Sequence, residues 1–67
     1  MNTEHYRVLR KGVDAWHWWR EENRETIPNL RDAYLAGMDL EKVNLSGVRL
    51  GRANLVGVSL KDALLTC

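Results

Sequence analysis

The sequence predicts an all-β solenoid, namely a short quadrilateral β-helix of about two coils with one N-terminal α-helix that caps it. Leucine recurs at every fifth position from Leu30 to Leu65, and a mostly small residue stands two positions before each leucine. Corner residues of opposite charge stand twenty positions apart. Repetition at a short fixed period is typical of solenoids, whose units bury their apolar side chains only by stacking on one another.

The N-terminal segment, residues 1–27, is expected to form the capping helix and a linker. Apolar side chains between Tyr6 and Trp16 are spaced by three and four positions, as on one face of a helix from about Thr3 to Asn23. Thr3 is the candidate N-cap, and Pro28 closes the polar exit. The helix is expected to cover the first leucine layer with four apolar side chains: Leu9, Val13, Trp16 and Trp19.

The second segment, residues 28–67, is expected to form the β-helix as one folding unit. The leucine of each five-residue unit and the small residue two before it alternate as in a strand, so both point inward, and the next two residues turn the corner. The predicted core is therefore a column of leucines: Leu30, Leu35, Leu40, Leu45, Leu50, Leu55, Leu60 and Leu65.

Charge pairing indicates how many units complete one coil. With four units per coil, residue n stacks on residue n+20, whereas three units per coil give no comparable charge pattern. The four-unit register places opposite charges together: Asp32 with Arg52, Glu41 with Lys61, and Lys42 with Asp62. Exposed pairs of this kind contribute about 0 to 1 kcal/mol each, so they report the register more than they stabilise the fold.

The second corner residue alternates between glycine and a charged residue. Glycine suits a turn that needs positive φ, whereas charged residues suit a turn that does not. The sequence therefore predicts two kinds of corner, one with Gly37, Gly47 and Gly57 and the other with Asp32, Lys42, Arg52 and Asp62.

Several units resemble the repeats of the pentapeptide-repeat proteins, which read roughly A-(D/N)-L-x-x. Among them are "MDLEK", "VNLSG" and "ANLVG", and "LRKGVDAWHWWREEN" is similar to the short helix that precedes the repeats in many bacterial members. The resemblance implies a right-handed, four-sided β-helix. The favoured Asp or Asn is replaced in four units, by Tyr34, Arg49, Ser59 and Leu64.

Composition gives no support for an enzyme, a metal site or a nucleic-acid partner. The net charge is +1, which supplies no electrostatic reason to bind nucleic acid or an acidic membrane surface. His5, His17 and Cys67 are the only soft metal ligands, and the histidines stand twelve positions apart, too far for one helix-face site. We expect both histidines to be solvated, and we expect no cofactor, no small-molecule substrate and no catalytic residue.

The compartment is expected to be the cytoplasm. A single cysteine excludes an internal disulfide and fits a reducing environment. The chain lacks an apolar run of roughly 20 residues that could span a membrane, and its first residues do not resemble a secretion signal.

The helix is expected to cover only the first coil, which leaves the strand edges of the second coil open to pairing. We expect a non-enzymatic interaction or assembly module that forms a homodimer, C-terminal coil to C-terminal coil, or docks on another repeat protein. The open end would also fit a chain that is part of a longer repeat protein. The candidate interface residues are Trp18, Leu50, Leu55, Leu60, Leu65 and Cys67.

The resemblance also implies an alternative function. Some longer relatives are thought to protect DNA gyrase by imitating a DNA duplex with an acidic surface. Here basic side chains offset the acidic ones, and two coils are much shorter than a duplex-like rod. Surface charge is the feature that discriminates this regulatory role from an assembly module. The acidic side chains in question are Asp32, Asp39, Glu41 and Asp62.

Overall fold

The computed structural model describes residues 1–66, in which two helices are followed by a chain that returns over itself. Helix α1 spans Thr3–Arg10 and helix α2 spans Val13–Glu22. Residues 1–66 contain no continuous β-strand. Instead, isolated parallel bridges join residues twenty positions apart: Asn29 with Arg49, Tyr34 with Asn54, Asp39 with Ser59, and Asn44 with Leu64. The secondary structure therefore consists of two helices and isolated bridges, and the short strands predicted for an all-β solenoid are not formed in residues 1–66.

The N-terminal segment holds two helices, so the prediction of one helix is wrong. The chain turns at Gly12, with φ 123° and ψ 171°, a conformation that glycine adopts readily and other residues do not. Leu9 on α1 and Trp16 on α2 are both fully buried. The spacing of apolar residues continues across the turn, so periodicity alone could not reveal the break.

The N-cap of α1 is Asn2 rather than Thr3. The Asn2 side-chain oxygen accepts hydrogen bonds from the backbone N–H groups of Glu4 at 2.9 Å and His5 at 3.2 Å. These N–H groups have no partner within the helix, which is why an N-cap side chain stabilises it. Thr3 is the first helical residue.

Backbone hydrogen bonds hold two stacked coils together. We call residues 29–46 the lower coil and residues 49–66 the upper coil. The Leu30 N–H donates to the Arg49 carbonyl at 2.8 Å, and the Arg49 N–H donates to the Pro28 carbonyl at 3.0 Å. The same pattern recurs on the other three faces, centred on Tyr34, Asp39 and Asn44. The predicted twenty-residue register is therefore confirmed.

Only one of the three predicted corner ion pairs forms. The Arg52 Nε lies 2.9 Å from an Asp32 carboxylate oxygen. The other two predicted pairs form no ion pair, although their backbones stack as expected: Glu41 with Lys61, and Lys42 with Asp62. These corner side chains are exposed, so water competes with each pairing.

The corners are of one kind, so the prediction of two kinds is wrong. At each corner an N–H donates to the leucine carbonyl three residues earlier, as from Ala33 to Leu30 at 3.1 Å. The glycine corners have φ between 71° and 78°, and the charged corners have φ between 57° and 65°. Positive φ at the third residue alone is the arrangement of a type II turn. The common register imposes this turn on charged residues as well.

Burial is uneven across the two coils. The lower-coil leucines are 0 to 2% exposed and pack in one core with Leu9 and Trp16. They are Leu30, Leu35, Leu40 and Leu45. In the upper coil, Leu50, Leu55 and Leu60 are half-buried, and Leu65 is 53% exposed. The molecule thus has three layers, with the helices below, the lower coil in the middle and the upper coil above.

Candidate interaction surface

The two edges of the stacked coils are covered differently. Along the lower edge, side chains of α1 and α2 and the Asn2 backbone bond to the coil, as the next paragraphs describe. Along the upper edge, no part of residues 1–66 bonds to the outward-facing backbone groups of the faces. The cap therefore pairs several backbone groups of the lower edge, whereas the upper edge has no such cover and is the candidate interaction surface.

At the first anchor of the cap, both backbone polar groups of Asn29 are paired. The Asn29 N–H donates to the Nδ1 atom of His5 at 3.0 Å. The Asn29 carbonyl accepts from the Asn2 N–H at 2.9 Å. Helix α1 thereby supplies the acceptor, and Asn2, the N-cap before it, supplies the donor that another coil would otherwise provide.

At the second anchor, α2 pairs the backbone of Asn44. The Trp16 Nε1–H donates to the Asn44 carbonyl at 2.8 Å, and the Asn44 N–H donates to the Nε2 atom of His17 at 2.9 Å. The Arg20 guanidinium donates to the carbonyls of Asn44 at 3.1 Å and Ser46 at 2.8 Å. Burial lowers the pKa of Arg20, yet a guanidinium remains charged in proteins.

The prediction that both histidines are solvated is wrong. His5 is 7% exposed, and His17 is half-buried against the coil. Burial lowers the pKa of His5, and the neighbouring Glu4 carboxylate opposes that shift in part. Sequence reasoning also missed Tyr6, whose hydroxyl donates to the Tyr34 carbonyl at 3.0 Å. No sequence signal marks these bonds, because they depend on how the helices lie on the coil.

The predicted cap residues lie under the lower coil. Leu9 and Trp16 are part of the buried core, and Val13 and Trp19 are half-buried against it. The Trp16 and Trp19 rings stack with centroids 5.5 Å apart and planes inclined by 23°. Trp18, two positions after the buried Trp16 on α2, is 69% exposed.

On each face of the upper edge, one N–H and one C=O have no backbone partner among residues 1–66. The equivalent groups of the lower coil, such as the Leu35 N–H and the Ala33 carbonyl, are bonded to Asn54 of the upper coil. Within the faces, leaving the corners aside, the free N–H groups belong to Leu50, Leu55, Leu60 and Leu65, and the free carbonyls belong to Val48, Ala53, Val58 and Ala63. Cys67, also predicted at this surface, lies outside the described residues.

No metal site or membrane span accompanies this surface in the part of the chain that is described. No three histidine, cysteine, aspartate or glutamate side chains of that part lie close enough to hold a metal ion. Neither α1 nor α2 is long and apolar enough to cross a membrane.

Comparison with known proteins gives one match. A family model described as pentapeptide repeats matches residues 29–66 in eight copies. This span covers more than half of the chain and contains both coils, while α1 and α2 lie outside it. No curated protein and no solved structure matches the chain.

Proposed function

The chain belongs to the pentapeptide-repeat family, and from that membership and the exposed upper edge we propose a non-enzymatic assembly module. In this proposal the two coils form a short right-handed, four-sided β-helix. Two copies join end to end through their upper coils, so that the helices of each copy lie at the outer ends of a continuous column.

The observation that carries the proposal is the self-complementarity of the upper edge. On the face centred on Asn54, the Ala53 carbonyl and the Leu55 N–H both point outward. Antiparallel pairing of two such edges about a twofold axis places each carbonyl opposite an N–H of the other copy. One C=O and one N–H on every face therefore find partners in a second copy.

Apolar burial favours the same contact. Leu50, Leu55 and Leu60 are half-buried, whereas their lower-coil equivalents are fully buried. A second copy would remove the remaining apolar surface from water, at roughly 25 cal/mol for each Å². Burial of unpaired backbone groups is costly, so the leucines become buried favourably only if the edges also pair. Both requirements are met by one arrangement.

The test is the mass of the protein in solution. We expect sedimentation to show a dimer whose population rises with concentration. Leu55→Arg should abolish the dimer, because it places a charge in the centre of the contact. Val56→Arg is the matched control, since Val56 is the next residue but is 74% exposed at a corner, and we expect it to dimerise normally.

Two results would contradict the proposal. One is a wild-type monomer at every concentration, and the other is a Leu55→Arg variant whose mass equals that of the wild type. Circular dichroism tests whether the Leu55→Arg variant is folded. If it is unfolded, Leu65→Arg replaces it, because Leu65 is already 53% exposed and we expect a charge there to leave the monomer folded. If the protein binds a different repeat protein and not itself, the upper edge is still the interaction surface, but its partner is not a second copy.

Duplex mimicry finds no support in the described residues. Asp32, one of the acidic side chains it requires, is paired with Arg52 at 2.9 Å. Lys42 and Lys61 occupy the same corner as Glu41 and Asp62, so this corner presents both signs of charge. The assembly module is therefore the function that the geometry supports best.

A further inference from the structure

Both histidines of the chain accept a hydrogen bond from a backbone N–H of the lower coil. The Asn29 N–H lies 3.0 Å from Nδ1 of His5, and the Asn44 N–H lies 2.9 Å from Nε2 of His17. Each of these ring nitrogens must therefore carry a lone pair. A neutral imidazole has one acceptor nitrogen, whereas an imidazolium has two donors and no acceptor.

We propose that these two bonds form a proton-sensitive latch, in which protonation of His5 and His17 releases the helical cap from the lower coil. We call the two imidazoles with the N–H groups of Asn29 and Asn44 the histidine latch. His5 belongs to α1 and His17 to α2. The latch therefore fastens each helix separately to a different face of the coil.

Some groups around His5 favour its charged form and others favour its neutral form. Glu4 on α1 and the Trp19 ring of α2, whose centroid is 4.8 Å from that of the imidazole, favour the charged form. Burial and the Asn29 N–H favour the neutral form. Burial is the larger influence, since the pKa of His5 is lowered.

His17 lies in a groove between α2 and the face centred on Asn44. The charged side chains that line this groove are Arg20 and Glu21 of α2 and Lys42 of the lower coil. The Glu21 carboxylate is paired with Arg24 at 3.3 Å. Protonation of His17 would thus add a third positive charge beside Arg20 and Lys42, while the nearby carboxylate already has a cationic partner.

Protonation turns each bond of the latch into a contact between two donors. The N–H groups of Asn29 and Asn44 would lose their acceptors, and leaving a partly buried donor unpaired is costly. Once the cap separates, Trp16 and the lower leucines meet water, and the lower edge exposes unpaired backbone groups like those of the upper edge. Acid would thereby create a second pairing edge on the molecule.

The direction of the pH effect follows from the pKa of His5. Because the pKa is lower in the folded state, the unfolded state binds the proton more readily. Cap stability is complete above the ordinary histidine pKa of about 6.5 and is lost as pH falls below it. Aspartate and glutamate titrate nearer to about pH 4, so the interval from about pH 7 to about pH 5 separates the effect of His5 from that of the carboxylates.

The experiment is amide hydrogen exchange measured by NMR on dilute protein. In the wild type, we expect protection of the Asn29 and Asn44 amides to fall about tenfold between pH 7.5 and pH 5, after correction for intrinsic exchange rates. In the double variant His5→Asn, His17→Gln, we expect no such fall. The amide oxygen of asparagine can replace Nδ1 and that of glutamine can replace Nε2, and neither side chain titrates.

The Leu35 amide is the internal reference, because it donates to Asn54 between the coils and not to the cap. Unchanged protection of Asn29 and Asn44 in the wild type would overturn the proposal. So would an equal loss in the double variant, or a simultaneous and equal loss at Leu35, which would indicate global unfolding. If the double variant fails to fold, each single variant should remove the pH effect at its own amide only.

Discussion

Single residues at the corners hold a backbone conformation that most side chains avoid. Asp32, Lys42, Arg52 and Asp62 all have positive φ, which costs a residue with a Cβ about 1–2 kcal/mol. The stacking of the two coils, not the identity of the corner residue, imposes this conformation. Glycine at Gly37, Gly47 and Gly57 avoids the cost, which explains its regular use without requiring a second type of turn.

Alanine substitutions at two glycines test this account. Gly47 has φ 74° and no atom within 4 Å of an added Cβ, so Gly47→Ala should reduce the free energy of unfolding by about 1–2 kcal/mol through backbone strain alone. Gly51 lacks positive φ, and an added Cβ would meet only the Arg31 side chain at 3.6 Å. Gly51→Ala should therefore change stability by less than about 0.5 kcal/mol or increase it slightly.

Urea denaturation of the two variants provides the measurement. Equal losses of stability at the two positions would show that positive φ is not the controlling feature. A folded Gly51→Ala variant serves as the control for the general effect of an added methyl group.

The histidines are the residues that sequence reasoning placed least well. Nothing in the neighbours of His5 and His17 along the chain marks them as hydrogen-bond acceptors. Their partners, Asn29 and Asn44, are distant in sequence and meet them only after the helices lie on the lower coil. Such a contact depends on tertiary structure and leaves no periodic trace.

At the scale of the elements, the start of α1 is determined by Asn2. Asn2→Ala would remove the side-chain acceptor for the Glu4 and His5 N–H groups but keep the backbone bond from Asn2 to Asn29. We expect a loss of about 1 kcal/mol in the free energy of unfolding. Thr3→Ala, at the exposed residue that the sequence favoured as the cap, should change it by less than about 0.5 kcal/mol.

Thermal or urea unfolding followed by circular dichroism measures both variants. A greater loss for Thr3→Ala than for Asn2→Ala would restore Thr3 as the cap and contradict the observed start of the helix.

The five-residue period predicted the repeat segment well, whereas the spacing of three and four positions predicted the helical segment only in part. Leucine spacing predicted the five-residue units, because every unit must stack on an equivalent unit to bury its side chain, and the opposite charges twenty positions apart selected the register that the bridges show. The break at Gly12 was missed, because Leu9 and Val13 keep helical spacing across it. The capping side chains Leu9 and Trp16 were nevertheless identified by their apolar character.

At the scale of the whole molecule, burial decreases from the cap towards the upper edge. Leu40 in the lower coil is fully buried, and Leu60, twenty residues later on the same face, is half-buried. In dilute protein, Leu40→Ala should cost about 2–5 kcal/mol and Leu60→Ala distinctly less. If copies pair through their upper coils, the cost of Leu60→Ala should grow with protein concentration.

Denaturation midpoints at low and high concentration supply the measurement. The cost of Leu40→Ala should not depend on concentration, so that variant is the control. Equal costs at low concentration would contradict the observed gradient of burial.

The two coils stack in one direction only, because the N–H groups at the corners point towards the upper edge and not towards the lower edge. The N–H groups of Asp32, Gly37 and Lys42 donate to carbonyls of the upper coil at 2.8–2.9 Å. In the upper coil the equivalent donors are Arg52, Gly57 and Asp62, and no carbonyl of residues 1–66 faces them. In a twofold dimer joined through the upper edges, the corner N–H donors of one copy would meet the corner N–H donors of the other. Water would then remain bound to the N–H groups at the corners. Two copies would therefore associate more weakly than the two coils of one chain, as a reversible contact requires.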